Sequence, residues 1–242
     1  VADPAITIIP CLEIKEGQCV SLQRGCTDQP IFWPDDPVAK AREFAAEGVP
    51  WIHVTDIDGL HGFPVNDTLK HDIIRQTGTA IQLGGGLRSQ SRIENWIECG
   101  AGRIVVGTLA VLDPDQVKSL AKSYPDQIVV AMDIWQGRVL IHGWTEPSAI
   151  TPHDFVRAFE GSPLAAILMT DIDADIEDRG RDLERLARLA EASTSPVIAS
   201  GVVHAAEDIR PLRTIPNVTG VIVGTALFRK HVDLQDILQE AS

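Results

Sequence analysis

Ile81-Gln82-Leu83-Gly84-Gly85-Gly86-Leu87-Arg88-Ser89, followed by Arg103-Ile104-Val105-Val106-Gly107-Thr108-Leu109-Ala110-Val111, decides the fold of this chain. Each member of the pair runs from an apolar strand into a glycine turn whose bare backbone amides suit an oxyanion such as a phosphate. One such turn says little, since glycine serves wherever a backbone bends sharply. The pair, however, recurs. Residues 196–209 read PVIASGVVHAAEDI and residues 221–228 read VIVGTALF, so Gly224-Thr225 follows Ser200-Gly201 as Gly107-Thr108 follows the triple glycine.

Other landmarks keep nearly the same spacing. Thr55-Asp56-Ile57-Asp58 and Thr170-Asp171-Ile172-Asp173 lie 115 positions apart, Gly86 and Val202 116, Gly107 and Gly224 117, and Glu13 and Asp133 120. A period this long, kept by four landmarks, marks two homologous halves, expected at approximately 1–125 and 126–242. Between the landmarks, strands alternate with helices. The run ITIIPCLEI (residues 6–14) has the near-continuous apolar pattern of a parallel strand covered on both faces. Asp36-Pro37, Asp113-Pro114 and Thr151-Pro152 each place a capping side chain before a proline at the first helical position. Eight strands and eight helices are expected, and the fold class that accommodates them in one domain over 1–242 is the (β/α)8 TIM barrel with an internal two-fold repeat. An open doubly wound sheet would not predict that repeat. In the barrel, Glu13 and Asp133 end the first and fifth strands and face each other across the mouth, with a glycine turn toward either end. Such a site suits a substrate with two phosphates and a reacting centre between them, with carboxylates moving protons at carbon and oxygen.

Composition narrows the alternatives. The 242 residues are 44% hydrophobic and 23% charged, as in a globular protein with a sizeable core. A formal charge of -13 without a Lys/Arg cluster argues against a nucleic-acid surface. Cys11, Cys19, Cys26 and Cys99 lack metal-ligand spacing and read as buried free thiols of a reducing compartment. Residues 1–10 carry neither a basic leader nor a long apolar run, so a cytoplasmic protein without membrane contact is expected. Seven histidines lack ligand spacing, and neither a Walker lysine nor a nucleophile elbow occurs, so no metal and no cofactor is expected. His53 and His142 read as satisfied polar residues, and Trp33, Trp51, Trp96 and Trp135 as structural aromatics. Asp56 and Asp171 divide evenly between site acids and caps of the following loops. Arg24 and Arg88 are candidates to meet a phosphate. A protein partner is left open.

These motifs resemble the histidine-biosynthesis barrels, a family that contains the phosphoribosylformimino-AICAR-phosphate (ProFAR) isomerases, their dual-substrate relatives, and the cyclase subunit of imidazole glycerol phosphate synthase. IIPCLEIKEG (8–17) is similar to the first strand of both branches, with Cys11 leaning toward the cyclase. VTDIDG (54–59), QLGGGLRS (82–89), RIVVGTLAV (103–111) and especially HGWTE (142–146) lean toward the isomerase. The resemblance implies an Amadori rearrangement of an aminoaldose to an aminoketose by acid–base catalysis. It also implies Glu13 as base, Asp175 as acid, Asp133 supporting or sharing a role, and Thr170 beside them. Phosphates would be held by Gly85, Gly86, Gly107 and Thr108 at one end and by Gly201, Gly224 and Thr225 at the other. Trp144 would cover the bound substrate, and Arg24 would contact it. The chain departs from the family pattern at Glu13 (commonly aspartate), Ile176 (glycine), Val202 (glycine) and Thr225 (a basic residue). Two other readings therefore stay beside the isomerase: a paralogue acting on another sugar phosphate, and a barrel without catalysis.

Overall fold

The computed structural model describes residues 5–23, 26–172 and 179–242. Eight parallel strands close into a barrel: β1 (Thr7–Lys15), β2 (Trp51–Asp56), β3 (Ala80–Gly84), β4 (Arg103–Val106), β5 (Ile128–Trp135), β6 (Ala166–Asp171), β7 (Val197–Ser200) and β8 (Val218–Val223). Each pairs with the next, and β8 pairs with β1 to close the ring. Among the described residues, one helix after each strand covers it, beside shorter helical turns: α1 (Pro37–Ala46), α2 (Asp67–Gln76), α3 (Gln90–Glu98), α4 (Pro114–Ser123), α5 (Pro152–Ala158), α6 (Arg179–Ala192), α7 (Ile209–Arg213) and α8 (Leu234–Glu240). The expected starts hold. Asp36, Asp113 and Thr151 accept hydrogen bonds from the amides of Ala39, Gln116 and Asp154, each with proline at the first helical position.

The two-residue period of the strands divides the core. Outward residues such as Leu12, Ile14, Ile52, Val54, Val130 and Met132 pack against the helices in one large cluster. Inward residues Ile9, Cys11, Val105, Val129, Ala166, Leu168, Ile198 and Ile222 fill the barrel in a second. Near the C-terminal ends the inward positions turn polar. Glu13 lies level with Thr55, Thr55 with Gly84, Asp133 with Thr170, and Thr170 with Ser200. The register alone therefore assembles a polar ring at the mouth.

Two antiparallel excursions leave the ring. After β1, Gln18–Gln23 folds back on that strand and pairs with Cys26–Phe32. After β5, Arg138–Ile141 folds back in the same way and pairs with Glu146–Pro147. The first excursion is anchored by Trp33, whose indole donates to Ser21 Oγ (2.9 Å) and stacks on Phe228. Cys11 and Cys19 are free and buried, and Cys99 is free and half-buried. Trp96 is buried and Trp51 lies under the Arg103 guanidinium, both in structural roles. Trp135 ends β5 40% exposed, where β5 runs past the barrel into the excursion.

The repeat extends to ion pairs. Asp56 at the end of β2 pairs with Lys70 on α2 at 2.6 Å, and Asp171 at the end of β6 pairs with Arg185 on α6 at 2.5 Å. Lys70 and Arg185, like their partners, are 115 positions apart. The first pair is the more deeply buried, with side chains 0% and 1% exposed, and the ammonium lies over the Trp96 ring. Removing one partner of such a pair strands the other charge, at about 3–5 kcal/mol. Lys70→Met should lose that much in chemical denaturation and Arg185→Met distinctly less, since Arg185 retains more water. Equal losses would contradict the difference in burial.

Candidate active site

The C-terminal mouth opens into a cavity whose walls include Glu13 on β1, Asp133 on β5 and Thr170 on β6. Cys11, His53 and Thr55 lie on its β1 and β2 sides, Leu168, Ser200 and Ile222 on the side of β6 to β8. Its walls also include Gly85, Gly86, Gly107 and Thr108, so the first glycine pair meets both carboxyls in one space.

Burial sets the protonation of both acids. Glu13 is pushed up to about 7 by loss of water around the carboxyl, against the opposing effect of the Leu22 amide that donates to its Oε2 at 3.1 Å. Asp133 is likewise raised by burial, offset by hydrogen bonds from the side chains of Trp144 and Thr170. Thr170 sits opposite Asp133 in the β5–β6 register, so this bond follows from the strand pairing. The indole can only donate, which makes the carboxyl the acceptor.

Trp144 reaches Asp133 from a turn with unusual backbone. His142, Gly143 and Trp144 have φ of 55°, 68° and 67°, three consecutive residues in the left-handed region. Two anchors hold that turn. The His142 amide donates to Thr108 Oγ1 at 2.8 Å, and Gly143 packs closely on Leu60. The Leu60 carbonyl in turn accepts from Arg88 Nη2 at 2.5 Å. Thr108, expected only to hold a phosphate, thus also fixes the turn that carries Trp144.

His53 is bonded on both ring nitrogens, to Thr55 Oγ1 (2.8 Å) and Gln82 Nε2 (3.2 Å), and burial lowers it to about 4. It is a neutral, satisfied residue, as expected, although it forms part of the cavity floor. Asp56 is a cap and ion-pair member: its carboxylate accepts from the Gly59 amide, Asn66 and Lys70.

The triple glycine has a second reason to be glycine. A Cβ on Gly85 would overlap the backbone of Asp56, and one on Gly86 would overlap the Gly59 carbonyl. Both also have positive φ, 107° and 70°. The close approach of the β3 turn to the β2 turn requires bare backbone here whether or not an anion binds.

The second glycine pair stands differently. Ser200 is in the cavity wall, whereas Gly201, Gly224 and Thr225 lie outside the described walls. Gly224 and Gly107 nonetheless match: each precedes a short helix (Thr225–Phe228 and Thr108–Leu112), with ψ of -86° and -85°, and neither helix has a side-chain cap. Their leading amides stay available to an anion. Val202 packs against the outer core. Asp175, Ile176 and Arg24 fall outside the described residues. Among the described residues no cluster of His, Cys, Asp and Glu is placed to hold a metal, and no helix is long and apolar enough to cross a membrane.

Cys11, Thr55, Leu168 and Ser200 line the cavity although none was a candidate site residue in the sequence. Their signal was parity: each is an inward position near the C-terminal end of a strand.

A closed parallel barrel with two half-buried carboxyls facing one cavity at its C-terminal mouth is a (β/α)8-barrel enzyme. The chain belongs to the family described as Histidine biosynthesis protein, whose sequence profile matches residues 7–233. Among its relatives, a protein of Ruegeria sp. strain TM1040 is 47% identical, covering 97% of this chain and 95% of its own. One from Ruegeria pomeroyi is 48% identical, with 97% and 95% covered. A third, from Brucella suis biovar 1, is 40% identical with 96% of each covered. All three are named 1-(5-phosphoribosyl)-5-((5-phosphoribosylamino)methylideneamino)imidazole-4-carboxamide isomerases.

Proposed function

We propose that this chain performs the same isomerisation, the Amadori rearrangement of the ribosylamine of that bisphosphate to its aminoketose. The observation that carries this reading is the meeting of Glu13, Asp133 and the first glycine pair in one cavity, with both carboxyls raised by burial. An acid raised toward neutrality can exchange protons at working pH, as this reaction needs twice. A proton delivered to the ribose ring oxygen opens the ring to a protonated imine. Removal of the C2′ proton then gives an enolamine, which tautomerises to the ketone. Oxidation at C2′ balances reduction at C1′, so electrons stay within the substrate.

Glu13 is the base in this scheme and Asp175 the acid, the latter carried by the family resemblance. Asp133 supports the reacting carbons and shares in proton transfer, with Thr170 fixing its carboxyl. Gly85, Gly86, Gly107 and Thr108 hold one phosphate, and the uncapped turn at Gly224 and Thr225, with Gly201, takes the other. Trp144, hydrogen-bonded to Asp133, covers the substrate, and Arg24 contacts it. Phosphates held far from the reacting carbons supply the binding energy that keeps C1′ and C2′ in register.

Identity near one half over almost the full length favours the isomerase over the altered-substrate and non-catalytic readings. The departure at Glu13 is compatible with it, since the carboxyl stays on the cavity wall and is held there by Leu22. Expression of the chain in a histidine auxotroph lacking this isomerase should restore growth without histidine. Failure of a well-expressed, folded protein to do so would argue for another substrate.

A further inference from the structure

We infer that Asn66 is a positioning residue for Glu13, acting through the Glu16–Gly17 turn. The inference rests on Glu13 being the base, and it starts from an unusual demand made by that turn. β1 and the strand Gln18–Gln23 pair antiparallel, with Lys15 opposite Gln18, so the loop between them is only Glu16 and Gly17. Both have positive φ, 50° and 76°, the conformation of a tight two-residue hairpin. The ladder itself provides no partner for the amides of the two loop residues.

Here both amides are taken by buried side chains from another unit of the barrel. The Glu16 amide donates to Asp58 Oδ2 at 2.7 Å, and the Gly17 amide donates to Asn66 Oδ1 at 3.0 Å. Asn66 is 1% exposed and uses its other end as well: Nδ2 donates to Asp58 Oδ2 and to Asp56 Oδ1, both at 2.8 Å. Asp56 is itself held by Lys70. One asparagine therefore joins the buried ion pair to the hairpin turn, with its donor and acceptor ends both occupied.

The hairpin carries the group that adjusts Glu13. Glu13 lies opposite Val20 in the ladder, and the Leu22 amide, two residues further, donates to its carboxylate. That bond favours the charged form and opposes the effect of burial. Fixing the turn fixes the ladder, and fixing the ladder keeps Leu22 on the carboxylate. Other groups face Glu13 from every side of the described cavity: Cys11 on its own strand, His53 and Thr55 on β2, and Asp133 on β5, with Arg88 after β3 as the cation of the described wall. None of them lies on the returning strand Gln18–Gln23, whose contact with the Glu13 carboxylate is the Leu22 amide.

The test follows the Glu13 carboxyl directly, by 13C NMR titration of glutamate-labelled protein with the resonance assigned from Glu13→Gln. In Asn66→Ala the Glu13 titration should move upward by about one unit, the order expected for losing one hydrogen bond to the charged form, and the acidic limb of kcat/KM should move with it. Gly17→Val provides a second route: its side chain would extend into open space, yet a β-branched residue resists φ of 76°. It loosens the turn without stranding a buried acid and should shift Glu13 in the same direction. A folded Gly17→Val or Asn66→Ala protein whose Glu13 titrates as in wild type would overturn the inference, since a residue serving only stability leaves that titration in place. Full turnover in Glu13→Gln would instead remove the base assignment, whatever the titrations show.

Discussion

Replacing Glu13 by glutamine should lower kcat/KM by roughly 10²- to 10⁴-fold, the contribution a positioned general base makes. The wild-type profile should show an acidic limb near pH 7, because the carboxyl must lose its proton to act and burial holds it at about 7. In Glu13→Gln that limb should vanish from the residual activity. The same variant should resist heat better than wild type at pH 8. A carboxyl raised on folding binds its proton more tightly in the folded state, so it costs stability progressively as pH rises from the unfolded value of 4.5 and costs most above about 7. Below pH 4 both states are protonated and the two proteins should unfold alike. Loss of activity with a gain in alkaline stability is the expected mark of a site acid held at the expense of stability. Melting curves that coincide at pH 8 would show that Glu13 is less desolvated than its surroundings imply.

Asp133→Asn should reduce turnover by a similar factor, roughly 10²- to 10⁴-fold, for a separable reason. The asparagine keeps an acceptor oxygen for Trp144 and Thr170, the two donors to Asp133, so the turn at 142–144 should stay in place. What it removes is charge and proton exchange. KM and the affinity for inorganic phosphate should therefore stay near wild type while kcat falls. A rise in KM with unchanged kcat would assign Asp133 to binding instead.

Much of this was legible from the sequence because the information was local or periodic. Asp36, Asp113 and Thr151 announced three helix starts, each followed by proline, and all three cap as expected. Glu13 and Asp133 stood out as acids ending apolar strands, and the parity of β1 and β5 sends them into the same cavity. The features that stayed hidden depend on contacts between distant segments. Nothing near Gly85 and Gly86 reveals that the β2 turn passes against them, so their glycines suggested an anion and concealed a packing requirement. Lys70 drew no attention in the sequence, yet it is buried against Asp56. The matching separation of Lys70 and Arg185 was the available signal, one step beyond the landmarks that revealed the repeat. Thr108 likewise carried an expected role at the glycine turn and an unexpected one, its bond to His142 depending on an excursion that starts after β5.

Whether the cavity between Glu13 and Asp133 isomerises the bisphosphate from which the relatives take their name can be measured directly. Purified protein mixed with that substrate and no added metal or cofactor, in 2H2O, should convert it to the aminoketose, detected by mass and NMR. Protons exchanged through the base and acid should be traceable as deuterium in the product. Wild-type protein that binds the bisphosphate yet leaves it unchanged over prolonged incubation at high enzyme concentration would contradict the assignment.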